Sequence, residues 1–78
     1  MSEFTNAVSA ELARARALHK PYNSAHEGFA ILLEELDEFW DEVRKKRALR
    51  DPARMYDELV QIAAVAQRIA EDVVKPPL

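Results

Sequence analysis

The chain has 78 residues, 49% of them apolar, with one glycine, no cysteine and a formal net charge of −3. A single domain of that length buries only about 60 to 65% of the surface its unfolded form exposes; lacking disulfides or a thiolate metal cage, it is expected to complete its core by self-association, as a homodimer or homotetramer. No apolar run approaches the roughly 20 residues a bilayer requires and no signal-peptide layout is visible, so a soluble cytoplasmic protein is expected, and the acidic balance offers neither membrane nor nucleic acid a global attraction.

The Ala/Leu/Glu/Arg-rich composition, with no alternating Val/Ile/Thr run, predicts an all-α fold. The first helix is predicted from Ser2 or Thr5 to Leu18, with Phe4, Val8, Leu12 and Ala15 on one face. It breaks at His19-Lys20-Pro21-Tyr22-Asn23, because proline disfavours helical geometry in the residue before it and donates no amide.

Ser24-Ala25-His26-Glu27 has the spacing of a capping box and starts the second helix. Its apolar set, Phe29, Leu32, Leu33, Leu36, Phe39, Trp40 and Val43, falls within roughly one third of the circumference at about 100° per residue and reads as core. The cations Arg44, Lys45, Lys46 and Arg47 suit the negative end of the helix dipole, and the helix is expected to fade by about Ala48.

Asp51-Pro52 reads as an N-cap followed by proline at the first helical position. The third helix is predicted from Pro52 to Val74, burying Leu59, Ile62, Ala63, Ala66, Ile69, Ala70 and Val73, and ending at Lys75-Pro76-Pro77. The short connection makes helices two and three antiparallel neighbours. The expectation is one domain over residues 1–78, an antiparallel bundle of about three helices whose motif-bearing part is about 24–74.

On the second helix Glu35 and Glu38 emerge on adjacent turns and share one volume, flanked by Glu34 and Glu42. Carboxylates held so close repel unless a cation intervenes, and oxygen-only ligands select Mg²⁺ or Mn²⁺ over Zn²⁺. Helix three supplies Glu58 at the edge of its apolar stripe.

Glu34-Glu35-Leu36-Asp37-Glu38 and, beyond residues 39–57, Glu58-Leu59-Val60-Gln61 resemble the EExxE…ExxD signature of the MazG-like, all-α nucleoside triphosphate pyrophosphohydrolases, over about residues 24–74. The resemblance implies Mg²⁺ held by Glu35, Glu38 and Glu58, with Gln61 standing where the family has aspartate and supplying an amide oxygen but no charge. It implies cleavage of an NTP or dNTP to the monophosphate and pyrophosphate, in nucleotide-pool house-cleaning. Glu34 or Glu38 is nominated to orient or deprotonate the attacking water. Lys46 and Arg54, from the basic segment, are nominated to hold triphosphate oxygens, and His26 to contact substrate. The competing reading is a non-catalytic helical module that self-associates or binds nucleotide or a partner helix, the helix contact running through Phe29, Phe39 and Trp40; nucleic-acid binding through the basic loop is the weakest reading.

Overall fold

The computed structural model describes residues 2–75, and every regular element among them is helical. The helices are α1 (Glu3–Leu18), α2 (Ala25–Val43) and α3 (Pro52–Arg68); a single 3₁₀ turn, Arg47–Leu49, precedes α3, and a π-helical segment, Ile69–Val74, continues it. The predicted all-α fold is therefore observed. The part of the third helix's stop signal at Pro76-Pro77 lies outside the described residues.

The helix starts follow the local chemistry read from the sequence. Ser2 Oγ accepts from the Thr5 amide, Ser24 Oγ from the Glu27 amide, and Asp51 Oδ1 from the amides of Ala53 and Arg54, so each helix has a side-chain acceptor for its first free donors. The capping box at α2 is displaced by one residue: the Glu27 carboxylate accepts from the backbone and side-chain nitrogens of Asn23, not from Ser24.

Pairings along the chain fix the topology. Phe4 packs edge-on to Tyr56 at 5.6 Å, and Arg16 donates to Glu71 and Asp72, so α1 runs parallel to α3. Gly28 lies against Ile69 while Glu42 accepts from the Asp51 amide, so α2 runs antiparallel to α3. Helix α3 is the shared neighbour, and α1 and α2 scarcely touch. The small buried core of Val8, Val60 and Ala64, with Phe4, Ala7 and Ala63 packed on it, lies between α1 and α3.

The face of α2 is where the sequence reading fails. Its residues turned into α3 are Gly28, Glu35 and Glu42, seven apart and so nearly in line at about 100° per residue. Gly28 is there because a Cβ would stand 2.7 Å from Ile69 Cγ1. The apolar stripe is turned roughly a quarter circle away. Leu32, Phe39 and Val43, on its nearer edge, are half-buried, whereas Phe29, Leu33, Leu36 and Trp40 are exposed, Phe29 by 62% and Trp40 by 57%. Leu36 does not anchor a core within this chain.

Helix α3 departs similarly: Val60, Ala64, Val65 and Arg68 are buried, while Leu59, Ala66 and Ala70 are exposed. Its stripe is split between two neighbours, α1 on one side and α2 on the other, so the inward arc is wider and differently centred than a single-face reading assumes. Helix α2 also ends earlier than Ala48. Arg50 Nε donates to the Val43 carbonyl at 2.9 Å, and Glu42 gathers both Lys45 Nζ and the Asp51 amide, folding the basic segment back as a turn.

Candidate metal centre and adjoining cavity

Glu35 and Glu38 project from α2, and Glu58 from α3, with one carboxylate oxygen of each within 4.8 Å of the others. The antiparallel pairing brings Glu58 level with the middle of α2, a register that the sequence did not disclose. Glu35 Oε2 and Glu58 Oε2 are buried and have no hydrogen-bond partner among the described residues. Buried acceptors are ordinarily paired, and no lysine or arginine forms an ion pair with any of the three among the described residues.

Electrostatics records the same crowding. Burial, followed by the charges of Glu38 and Glu58, pushes the Glu35 carboxyl up to about 7. Glu58 is also raised, by burial first and then by the neighbouring Glu38 carboxyl, with Glu35 and the Arg54 charge opposing the shift. Groups perturbed by burial and by like charge in a confined site are a frequent mark of function. A hard divalent cation would fill the shared volume, satisfy the orphaned oxygens and cancel the repulsion, so this donor set fits Mg²⁺ or Mn²⁺.

The remaining nominated residues divide. Arg54 stands near the cluster, 3.8 Å from Glu42 Oε2 and close enough for its charge to lower Glu58. Gln61, one turn beyond Glu58, lies beside Glu11 of α1, whose carboxyl is held below its ordinary value chiefly by hydrogen bonds from Arg14 and further by Gln61. Glu34 is exposed and outside the three-carboxylate group, as are His26, in the first turn of α2, and Lys46, before the 3₁₀ turn. Glu42 is 0% exposed and works as a brace for the α2–α3 connection.

Because α1 and α2 scarcely meet, a cavity of about 350 Å³ opens between them over α3. Glu35 forms part of its wall, and so do Glu11, His19, Tyr22, Gln61 and Arg68. Comparison with protein-family models, curated proteins and solved structures finds no match to this chain. The site therefore has to be read from its own chemistry. Spacing gave no signal for Arg68, whose partners Tyr22 and Lys20 lie more than forty residues away along the chain.

Proposed function

We infer that the chain is a Mg²⁺-dependent nucleotide pyrophosphohydrolase, a short and divergent relative of the MazG-like enzymes, acting on an NTP or dNTP. The observation that carries this reading is the convergence of Glu35, Glu38 and Glu58 with two buried oxygens lacking any donor. Mg²⁺ or Mn²⁺ bound there would neutralise triphosphate charge and lower the pKa of a coordinated water. Glu35 and Glu58 would hold such a cation from two different helices. Glu38 is the most exposed of the three and the best placed to accept a proton from water. Arg54 lies close enough to meet a phosphate oxygen, whereas Lys46 and His26 would reach substrate only from the periphery. Gln61 stands beside Glu11 and brings an amide oxygen, with no charge, to the position where the MazG-like signature has aspartate.

The test is incubation of the full chain with a panel of canonical and modified NTPs and dNTPs plus Mg²⁺, with pyrophosphate as the readout. Pyrophosphate release is expected from at least one, reduced by about 100-fold or more in Glu38→Gln, since metal-assisted charge stabilisation is worth several kcal/mol. Silence across the panel at high protein concentration would sink the hydrolytic reading. Gln61→Asp is expected to tighten Mg²⁺ binding by adding a charged ligand.

A second reading has its own support in the exposed stripe Phe29, Leu33, Leu36 and Trp40, which suits self-association or docking of a partner helix. Self-association and the enzyme reading are compatible, and we take both together: the expected assembly is a homodimer or homotetramer packed through this face.

A further inference from the structure

Arg68 ends α3 at its junction with the π-helical segment and is only 5% exposed. Its guanidinium stacks over the Tyr22 ring at 4.2 Å, with Nη1 donating to Tyr22 Oη at 2.9 Å and Nη2 to the Lys20 carbonyl at 3.1 Å. A guanidinium has five N–H donors. Among the described residues only those two bonds are formed, both to neutral oxygens, and Nε is buried without a partner. No carboxylate forms an ion pair with Arg68 among the described residues. Buried charges are normally paired, because removal from water is costly when nothing replaces hydration.

The wall as a whole balances its cations with carboxylates, so what sets Arg68 apart is the lack of a direct anionic partner among the described residues. Arg68 lines the cavity between α1 and α2 together with Arg14, His19 and Lys20. Of the carboxylates in the same wall, Glu11 pairs with Arg14, Glu27 accepts from the neutral Asn23 and keeps its charge, and Glu35 belongs to the three-carboxylate group; none of them bonds to Arg68. Lys20 forms no ion pair either. Arg68, buried and oriented by an aromatic face, and Lys20 thus border a space of about 350 Å³, and neither forms an ion pair among the described residues. That volume lies at the small end of the range for small-molecule pockets.

We propose that this cavity is an anion site anchored by Arg68, which binds the phosphate or carboxylate of a small molecule. Stacking on Tyr22 and the bond to the Lys20 carbonyl hold the guanidinium plane in advance, so the anion meets an oriented fork and the Lys20 ammonium adds charge at the rim. The site needs no metal and does not depend on the hydrolase reading.

The test uses ¹⁵N-labelled full chain in EDTA at constant ionic strength, with the Arg68 Nε–Hε resonance, identified by its loss in Arg68→Lys, as reporter. Inorganic phosphate, acetate and a nucleoside monophosphate are titrated separately against a chloride control. A saturable shift of that resonance with at least one of the three, at millimolar concentration or below, is the expected result. Tighter binding of the nucleoside monophosphate than of free phosphate identifies a nucleotide phosphate as the source, equal binding identifies the free ion, and response to acetate alone identifies a carboxylate. A shift that never saturates, or that chloride reproduces, overturns the proposal. Arg68→Met is expected to abolish the saturable response of neighbouring backbone amides; should that variant fail to fold, the wild-type titration still decides. EDTA removes any contribution from the carboxylate cluster, so loss of the hydrolase reading leaves this result standing.

Discussion

At the scale of single residues, the acidic side chains of α2 serve three different purposes that the sequence run conceals. Glu42 is a structural brace: its carboxyl is held below the ordinary range by Lys45 first and then by the Asp51 amide. Glu42→Gln keeps the shape and removes the charge, and is expected to lower the melting temperature clearly more than Asp41→Asn, which disrupts only an exposed ion pair with Arg44. Equal melts for the two variants would remove the bracing role. Glu35 behaves oppositely. Its carboxyl is raised from an ordinary 4.5 to about 7, so between those values the folded chain retains a proton that the unfolded chain has given up. The resulting stability is fully present below about 4.5 and is lost as pH rises through about 7. In EDTA the melting temperature is accordingly expected to fall between pH 5 and pH 8, and Glu35→Gln to flatten that fall. Saturating Mg²⁺ at pH 8 is expected to restore stability to the wild type but not to the variant. A pH-independent wild-type melt would contradict the crowding of the three carboxylates.

At the scale of the element, what was legible was the chemistry of ends and the existence of helices. Ser2, Ser24 and Asp51 cap as their residue types dictate, because a cap depends on neighbours within three positions. Which face of α2 turns inward was not legible, because that depends on how closely another helix can approach. The approach is set by Gly28, and it aligns Glu35 and Glu42, not the leucines, with α3. Helical spacing put Glu35 and Glu38 in one volume, but it was the resemblance to a two-motif signature that singled them out and joined Glu58 to them; the register that brings the three together required the fold. Gly28→Ala offers a direct check. Alanine favours an isolated helix by up to about 1 kcal/mol, but its methyl would stand 2.7 Å from Ile69 Cγ1, and such overpacking typically costs 1–3 kcal/mol. The net expectation is a loss of about 1 kcal/mol by chemical denaturation. Ile69→Ala in the same chain should relieve the overlap, so the double variant loses less than the two single changes summed. Simple additivity would mean that α2 does not rely on this approach.

For the whole molecule, the decisive feature is how little one copy covers. Its accessible surface is 5780 Å², against about 4800 Å² for a compact monomer of this mass. Much of the apolar surface sits on one side of α2, where Phe29, Leu33, Leu36 and Trp40 follow the four-three-four spacing of a coiled-coil seam. A chain this short with its strongest apolar stripe in water has little margin of stability, and a second copy presenting the same stripe is the simplest cover. Sedimentation of the wild type is expected to show a dimer or larger, with a melting temperature that rises with concentration. Phe29→Glu with Trp40→Glu should yield a monomer of lower melting temperature that no longer responds to concentration. The metal ligands occupy a different side of α2, facing α3, and neither substitution touches them. Weakened Mg²⁺ binding in the monomeric variant would then mean that the order of α2 itself depends on the second copy, whereas unchanged binding would show that α3 alone holds Glu35 and Glu38 against Glu58. A wild type that sediments as a monomer at every concentration would leave the exposed stripe without this explanation.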